Sequence, residues 1–433
     1  MENIANTGFN LPDNNKKRIV IVGAGFAGLK LARKLAKSPF QVVVIDKWNF
    51  HQFQPLFYQV ATSGLEPSNI SFPIRKVFHQ YKNLHFRNTA LTGINTEKQT
   101  ITTTVGELEY DKLVIATGVD TNYYGNKNIE QNSIPMKTTA EAIHLRNKIL
   151  ESFETAILIK DEKQQAKQLS IAIVGGGPTG VELAGAIAEL KNYVLPKDYP
   201  ELDFSLMKIR LYEASSRLLS SMSEHASTKA HQFLTQLGVE IHLNTFISDY
   251  DGENMKLADG EVLKVQNLVW AAGVGGSTIP GIPEDCMKPG NRIVVKRDNQ
   301  VDGIANVYAI GDIAYMPTEL FPEAHPQVAQ VAIQQADLLA KHFIKDVATI
   351  FEYSDKGSMA TIGRNMAVVD LPRFQFSGFF AWFLWLVVHL MAIVGVKNRL
   401  FIFINWAHSY FLRDQSLRVL IKPFRKKSTK ASA

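Results

Sequence analysis

The sequence predicts an α/β protein with two Rossmann-like dinucleotide-binding domains, the second inserted into the first. Two G-x-G-x-x-G fingerprints lie 152 residues apart, at Gly23–Gly28 and Gly175–Gly180. Each follows an apolar run typical of a buried parallel strand, Arg18–Val22 and Ser170–Val174, and precedes a helical pattern. In such a turn the glycines permit the bend, the approach of a pyrophosphate and the packing of helix on strand. The helix N-terminus then offers unpaired N–H groups to phosphate. A chain with two such turns is expected to pass electrons between two dinucleotides.

The first unit continues as this fold requires. A helix is predicted from Phe26 to about Lys37 and a second strand over Gln41–Ile45. Asp46 follows that strand, 23 residues after Gly23, where a ribose hydroxyl acceptor belongs. Lys47 is the next residue, and it is assigned to the same site.

Two later strands are assigned to the first unit. One is Lys112–Ile115, which ends in the small residues Ala116, Thr117 and Gly118 and so permits close approach of a cofactor. The other is Val307–Ile310, followed by Gly311 and Asp312. Because Asp312 is assigned to the first dinucleotide, the second unit is expected to be inserted into the first. The predicted domains are 16–121 with 302–370, then 122–301, and a C-terminal segment, 371–433.

The second unit repeats the plan. Its helix is predicted over Val181–Leu190, and its second strand, Lys208–Tyr212, ends at Glu213. The long gap before that strand is assigned to a surface insertion over Asn192–Phe204. A further strand ends in Ala272 and Gly273, as the first unit's strand ends in small residues. A helix over about 139–160 and a polar linker over 161–168 precede this unit.

Composition excludes several classes of protein. The 433 residues are 46% hydrophobic and 20% charged, which excludes disorder for most of the chain. The single cysteine, Cys286, excludes a disulfide framework and any chemistry that needs paired thiols. No His/Cys cluster has metal-binding spacing, so no metal is expected.

The net charge of +6 belongs to the C-terminus. From Lys397 onward there are nine Lys and Arg against one acid, Asp414, so the preceding residues sum to −2. The body therefore has no basic face for nucleic acid, and no nucleic-acid partner is expected. A basic tail beside apolar sequence indicates an anionic membrane surface instead.

The apolar part of this tail has three interpretations. Gly378–Val396 contains 19 residues with one ionisable group, and a second aromatic stretch follows over Leu400–Leu412. Such a run can be a membrane-spanning helix, a buried core helix or an interfacial helix. The cations around it and its tryptophans are typical of a membrane interface. They are Trp382, Trp385, Trp406, Arg413, Arg418, Lys422 and Arg425–Lys427.

Three stretches resemble the two-dinucleotide-domain flavoproteins of glutathione-reductase-like fold, and among them the type II NADH:quinone oxidoreductases. Asn49–Ala61 is similar to that family's loop beside the flavin, and Gly175–Gly185 to its NADH site. Ala329–Gln335 is similar to its AQ-x-A-x-QQ motif on the quinone side of the flavin, the most specific of the three.

The resemblance implies FAD as the cofactor of the first turn and NADH as the substrate of the second. Glu213 would accept hydrogen bonds from the NADH ribose and repel a 2′-phosphate, although nearby Arg217 could receive one. The residues assigned to FAD are Gly23, Gly25, Phe26, Ala27, Gly28, Asp46, Lys47, Gln59, Ala116, Thr117, Gly118, Gly311, Asp312 and Gln330. Those assigned to NADH are Gly175, Gly177, Pro178, Thr179, Gly180, Glu213, Ala272 and Gly273.

Three residues are candidates for the catalytic step. Glu182 lies in the first turn of the second helix, either as an ordinary helix-start acid or facing the nicotinamide–flavin contact. Gln330 and Gln334 are four residues apart and share a helical face. They are either surface glutamines or, as the resemblance implies, hydrogen-bond donors to a quinone carbonyl.

The expected function is non-proton-pumping oxidation of NADH through FAD, with two-electron reduction of a membrane quinone, either ubiquinone or menaquinone. The resemblance implies monotopic attachment to the cytoplasmic face of the inner membrane through the C-terminal segment, and a homodimer is compatible with it. Two alternatives stay open: a reductase for a soluble protein acceptor, and a membrane-tethered NADH-sensing flavoprotein.

Overall fold

The computed structural model describes residues 8–288, 290–347, 349–415 and 417–421. The basic residues Lys422 and Arg425–Lys427, which are predicted to lie at a membrane interface, are outside the described residues. The helices are α1 (Phe26–Leu35), α2 (Phe57–Ala61), α3 (Ile74–Phe78), α4 (Lys127–Asn132), α5 (Thr139–Ala156), α6 (Glu162–Leu169), α7 (Pro178–Glu189), α8 (Leu195–Asp198), α9 (Glu224–Gln236), α10 (Ala329–Lys345), α11 (Phe379–Ala392) and α12 (Val396–Leu412). The strands are β1 (Arg18–Val22), β2 (Gln41–Asp46), β3 (Phe50–Gln52), β4 (Ser71–Pro73), β5 (Leu84–Asn88), β6 (Leu91–Asn95), β7 (Thr100–Thr103), β8 (Gly106–Glu109), β9 (Lys112–Ile115), β10 (Asp120–Thr121), β11 (Ile134–Pro135), β12 (Ile171–Val174), β13 (Ile209–Tyr212), β14 (Val239–His242), β15 (Ile247–Tyr250), β16 (Asn254–Leu257), β17 (Val262–Lys264), β18 (Asn267–Trp270), β19 (Val274–Gly275), β20 (Met287–Lys288), β21 (Arg292–Val294), β22 (Val307–Ala309), β23 (Ala314–Tyr315), β24 (Ser358–Gly363), β25 (Met366–Asp370) and β26 (Gln375–Ser377).

The chain divides into two compact units. Unit 1 contains the described residues up to Gln52, Ser71–Asn122 and Gly273–Gly357. Unit 2 contains Phe53–Ile70, Tyr123–Ala272 and the described residues from Ser358 onward. This grouping differs from the predicted domain boundaries at 53–70, 273–301 and 358–370. Local pairing explains part of the difference, because β19 pairs with β10 inside unit 1. The functional domain limits stay a prediction.

The core of unit 1 is a five-stranded parallel sheet of order β22-β9-β1-β2-β5. Its central strands are fully buried and rich in Val and Ile, as a parallel sheet covered on both faces requires. The strand β22 comes from far along the chain and pairs with β9, so the predicted discontinuous topology is confirmed.

Unit 2 contains a second five-stranded parallel sheet, of order β11-β18-β12-β13-β14. The helix α7 follows β12 directly, as α1 follows β1 in unit 1. A close approach joins α7 to β24, since a Cβ atom at Gly185 would collide with the backbone oxygen of Ile362. Both predicted dinucleotide folds are therefore present.

Two predicted loops are wrong. The stretch predicted as a linker over 161–168 is mostly α6, whose N-terminus is capped by the side chain of Asp161. The predicted surface insertion over 192–204 includes the end of a π-helical turn, Leu190–Val194, and α8. Val194 and Leu195 are buried there, so the segment contributes to packing. The sequence of α6 is almost entirely polar, so it resembled a linker, and α8 is only four residues long.

The apolar tail forms two helices. The predicted 19-residue run becomes α11, and α12 begins at Val396 after Gly395, whose φ of +88° favours glycine. Only part of α11 is buried: Ala381 and Trp385 are fully covered, and Ala381 packs with Ala367 and Val369 of β25. In the part of the chain that is described, none of the helices combines the length and hydropathy needed to cross a bilayer.

Candidate functional site

The first glycine turn has the shape that a pyrophosphate needs. Gly23 has a φ of +101°, and a Cβ atom there would collide with the backbone oxygen of Ala116. A Cβ atom at Gly28 would collide with the carbonyl of Gly23, whereas one at Gly25 would meet nothing within 4 Å. Two glycines are thus required by the protein's own backbone. The open space at Gly25 lies at the N-terminus of α1, where a phosphate binds.

The helices that follow the two turns lack side-chain caps. The N-cap residues are Gly25 at α1 and Gly177 at α7, and neither has a side chain that could cap its helix. The helices α4, α5, α6 and α9 are instead capped by Asn, Thr, Asp and Ser side chains. A glycine at the start of each helix leaves room for a phosphate at the helix N-terminus, so both turns fit a dinucleotide.

Asp46 holds the first turn from the end of β2. Its two carboxylate oxygens accept hydrogen bonds from the N–H groups of Ala24, at 2.6 Å, and Trp48, at 2.7 Å. Burial raises the pKa of this carboxyl, and the two N–H groups oppose that shift. Lys47 is exposed and lies 3.9 Å from Asp120. Asp46 therefore orients the turn and sits where the sequence places the ribose acceptor.

The remaining predicted FAD residues of unit 1 lie at the ends of neighbouring strands. Ala116, Thr117 and Gly118 follow β9, and Gly311 and Asp312 follow β22, the strand paired with β9. Parallel neighbours end at one edge of the sheet, so the two groups lie at the same edge.

Sequence reasoning missed two supporting side chains in unit 1. The buried amide of Gln335 accepts a hydrogen bond from the N–H of Gly311 at 2.7 Å. The buried His51 ring has its Nδ1 2.9 Å from the carbonyl of Ala24, and burial lowers its pKa. Gln335 belongs to the glutamine motif and His51 to the loop assigned by resemblance. The sequence therefore showed both stretches but did not predict a role for either residue.

The second glycine turn repeats the geometry of the first. Gly175 has a φ of +112°, and a Cβ atom there would crowd the backbone of Ala271. A Cβ atom at Gly180 would collide with the carbonyl of Gly175, and one at Gly177 would meet nothing within 4 Å. Pro178 and Thr179 begin α7, while Ala272 and Gly273 follow β18. The repetition extends from sequence to backbone geometry.

Glu213 occupies in unit 2 the place of Asp46 in unit 1. Its Oε2 accepts from the N–H of Gly176 at 2.5 Å, and its Oε1 from the N–H and the hydroxyl of Ser215, both at 2.7 Å. The guanidinium of Arg217 donates to the carbonyls of Ser220 and Met222, at 2.7 and 2.9 Å. The carboxylate is therefore held at the turn, and the arginine is engaged by main chain.

Gln330 and Gln334 are both bonded to an extended segment of unit 1. Gln330 donates to the carbonyl of Gly357 at 2.8 Å and accepts from the N–H of Lys356 at 3.2 Å. Gln334 donates to the carbonyl of Ser354 at 2.9 Å and accepts from its N–H at 3.0 Å. The two amides act as a clamp on residues 354–357. Their role toward a quinone stays a prediction.

A cavity of ≈ 320 Å³ lies within unit 2. Its walls come from α2, α7, the β24–β25 hairpin, α11 and α12. Several of its lining side chains are aromatic and two are carboxylic acids on α7. They include Tyr58, Gln59, Glu182, Glu189, Tyr193, Arg364, Trp382, Trp385, Trp406, Tyr410 and Arg413. The tail thus supplies three tryptophans to one concave surface. Gln59, predicted to contact the flavin, lies on this surface.

Glu182 is one of the two buried acids of this cavity. Burial raises its pKa to about 8, opposed by the N–H of Thr361, which lies 3.4 Å from Oε1. The indole of Trp385 also lowers this pKa, but its N–H is buried and forms no hydrogen bond of ordinary geometry with a described residue. A carboxyl that keeps its proton at neutral pH therefore lines the cavity beside the indole of Trp385. Whether Glu182 also faces the nicotinamide stays a prediction.

Two cations, Arg364 and Arg413, lie at the same cavity. The guanidinium of Arg364 stacks over Tyr410 at 4.1 Å, and that of Arg413 stacks over Tyr193 at 4.4 Å. The backbone N–H of Arg364 donates to Glu189 at 2.6 Å, and both guanidiniums lower the pKa of Glu189, which burial raises. The two guanidiniums thus lower the pKa of Glu189 and not that of Glu182.

Comparison with known proteins agrees with both parts of the chain. Residues 17–336 match the family of pyridine nucleotide-disulphide oxidoreductases, and residues 356–414 match the NDH2 C-terminal domain. NDH2 from Plasmodium falciparum, solved in complex with NADH, superposes with a TM-score of 0.85 at 22% identity, covering 94% of this chain and 100% of that one. The sulfide:quinone oxidoreductase from Aquifex aeolicus gives a TM-score of 0.71 at 16% identity, covering 92% and 96%. These two structures support the fold.

Similarity in sequence identifies the family more narrowly. The chain is 34% identical to the type II NADH:quinone oxidoreductase NdhA of Mycobacterium tuberculosis over 419 residues, which cover 92% of this chain and 88% of that protein. It is 28% identical to a mitochondrial internal alternative NAD(P)H-ubiquinone oxidoreductase of Arabidopsis thaliana, covering 93% and 86%. With two glycine turns that fit FAD and NADH and relatives aligned over nearly the whole chain, this protein belongs to the type II NADH:quinone oxidoreductases.

Proposed function

We propose that this protein oxidises NADH held at the second glycine turn, through FAD held at the first, and reduces a membrane quinone whose headgroup binds in the cavity of unit 2. The observation that carries the assignment of the quinone site is the cavity itself. Flat aromatic walls suit a quinone ring, and a few polar groups suit its carbonyls. Glu182 and Trp385 supply such polar groups on its wall.

The overall reaction needs one proton besides the hydride. NADH, one H⁺ and the quinone give NAD⁺ and the quinol. FAD, when bound, accepts the hydride and passes on two electrons. Glu182 is protonated below about pH 8 and can give its proton to a quinone oxygen as negative charge develops there. It would then recover a proton from solvent through the cavity.

The test is a steady-state assay of the purified, FAD-loaded protein with ubiquinone-1 and menadione. We expect rapid NADH oxidation that depends on the quinone and saturates with it. NADH-dependent flavin reduction without quinone turnover would instead support a reductase for a protein acceptor or an NADH sensor.

The preference for NADH is attributed to Glu213. We expect Glu213→Gln to lower the ratio of kcat/KM for NADH to that for NADPH by about tenfold, because a carboxylate repels a 2′-phosphate. The amide has only one oxygen, so it can still accept from Gly176 or from Ser215 but not from both. Parallel assays with the two nucleotides measure the ratio, and an unchanged ratio would remove Glu213 from nucleotide selection.

We also infer that the tail attaches the protein to a membrane surface as a monotopic element on the cytoplasmic face of the inner membrane. Along α11 and α12, large apolar side chains are exposed, among them Phe380, Phe383, Leu400, Phe403 and Phe411. Exposed aromatic residues beside Lys397 and Arg399 are typical of interfacial helices. A homodimer stays a prediction.

The double variant Phe380→Asp, Phe383→Asp tests this attachment. Phe380 is 76% exposed and Phe383 is 55% exposed, so most of the surface of both side chains lies outside the packing of α11. Partition onto vesicles containing anionic lipid should weaken by at least about tenfold, since two aromatic groups no longer enter the interface. Leu320→Asp, at an exposed apolar residue of unit 1, is the matched control. Equal partition of both variants would exclude the α11 face as the attachment surface.

A further inference from the structure

A chain of three side chains connects α12 to α2 within unit 2. The indole Nε1 of Trp406 donates to Oε1 of Gln59 at 2.7 Å. The Nε2 of Gln59 donates in turn to the hydroxyl oxygen of Tyr58 at 2.8 Å. All three residues line the cavity that also contains Glu182. The chain therefore begins on a C-terminal helix and ends at the proposed quinone site.

The direction of these hydrogen bonds is set at Trp406. An indole N–H can only donate, so the amide of Gln59 must turn its oxygen toward Trp406 and its nitrogen toward Tyr58. The backbone of Gln59 is held as well, because its carbonyl accepts from the N–H groups of Gly64 and Leu65, at 2.7 and 3.2 Å. The orientation of the amide is therefore determined at both ends.

The orientation of Gln59 decides what Tyr58 can do. The Tyr58 hydroxyl already accepts from Gln59, so its own proton must point elsewhere. Among the described residues no acceptor is recorded for that proton. The Tyr58 side chain is buried and faces the cavity, with its ring 6.4 Å from that of Trp385. Burial and the nearby Glu182 raise the pKa of Tyr58 well above its usual value, so the proton is retained.

We propose that Trp406 is a positioning residue for quinone reduction: by orienting Gln59 it commits the Tyr58 hydroxyl to donate a hydrogen bond to a quinone carbonyl in the cavity. This inference rests on the proposed function and adds a donor, Tyr58, and a residue that acts only through it. A tryptophan of a tail helix thereby influences how the acceptor is bound.

The test compares Trp406→Phe, Tyr58→Phe and the double variant in the full-length FAD-loaded protein. Each single change should raise KM for ubiquinone-1 about tenfold, as expected for loss of one hydrogen bond to the substrate, with a smaller effect on kcat. In the double variant the effect of Trp406→Phe should disappear, because Tyr58 no longer has a proton to direct. Independent, multiplying effects of the two changes would overturn the proposal.

Asn398→Ala is the matched control for docking of α12. Asn398 also ties α12 to the segment 53–70, since its Nδ2 donates to the carbonyls of Ser68 and Asn69 at 3.2 and 3.1 Å. Its hydrogen bonds go to Ser68 and Asn69 and not to Gln59, so we expect KM for ubiquinone-1 to stay near that of the wild type. A rise equal to that of Trp406→Phe would show that helix docking explains the effect, and would overturn the proposal.

If the wild type reduces ubiquinone-1 but Tyr58→Phe does so equally well, this inference fails alone. Absence of wild-type quinone reduction would instead contradict the proposed function.

Discussion

Glu182→Gln is expected to lower kcat for quinone reduction by about 10²-fold, the usual contribution of a positioned general acid. Glutamine keeps the shape and the hydrogen bond from Thr361 but has no proton to give. The wild-type rate should fall as pH rises through about 8, where Glu182 loses its proton. In the variant this decline should be absent. Steady-state rates with ubiquinone-1 between pH 6 and 9 measure both effects, and a variant with wild-type kcat and pH profile would exclude Glu182 as the acid.

The same substitution should stabilise the fold at alkaline pH. A lower kcat in a more stable variant would then reflect loss of the acid and not a damaged fold. Glu182 titrates near 8 in the folded protein and near its ordinary value of 4.5 when unfolded. Above pH 4.5 the unfolded state therefore binds fewer protons, and stability falls with rising pH until about 8. Since one pKa unit corresponds to about 1.4 kcal/mol, the variant should gain roughly 3–5 kcal/mol at pH 8. Denaturant unfolding at pH 5 and 8 checks this, and a variant less stable at pH 8 would contradict the assigned burial.

Gly25→Ala is expected to weaken FAD binding and to lower the turnover of the purified protein in proportion to the FAD that it loses. The backbone at Gly25 is extended, with φ of −68°, and a Cβ atom meets nothing within 4 Å. The chain can therefore accept alanine without strain. The added methyl group would instead occupy the space at the α1 N-terminus that a pyrophosphate needs. The ratio of flavin to protein absorbance after gel filtration measures the loss.

The duplicated turn supplies the control for this prediction. Gly177→Ala places the same methyl group in the corresponding open space of unit 2. It should raise KM for NADH and leave the flavin content unchanged. Circular dichroism should show that both variants are folded. Loss of FAD from Gly177→Ala, or full FAD content in Gly25→Ala, would contradict the assignment of the two turns.

Much of the fold could be predicted because the decisive signals are local. A tight turn beside a buried strand restricts which residues can occupy it, because of its backbone geometry and close packing. This restriction explains the two fingerprints, the apolar strands before them and the acids Asp46 and Glu213. Even the return of β22 to the first sheet followed from one short run ending in Asp312. Errors arose where polarity concealed helices, as in α6, whose helix is defined by its cap and by packing.

The candidate site was less accessible to sequence reasoning. The resemblance directed attention to Gln330 and Gln334, yet both amides hold the main chain at 354–357. Glu182 was found from its place in the motif, but its raised pKa depends on the hairpin and tail helix that cover it. Nothing local indicated that Trp406 would meet Gln59, 347 residues earlier in the chain.

The sequence by itself determined the two dinucleotide turns and their order, because each depends on residues within one βαβ unit. Only the tertiary structure decided which groups share a cavity, since α2, α7, the β24–β25 hairpin and the tail helices are distant in the chain and meet through burial of apolar surface. That burial raises the pKa of Glu182 and places Tyr58 on the wall of the cavity. Such long-range effects arise from desolvation and hydrogen-bond geometry, which no local pattern encodes.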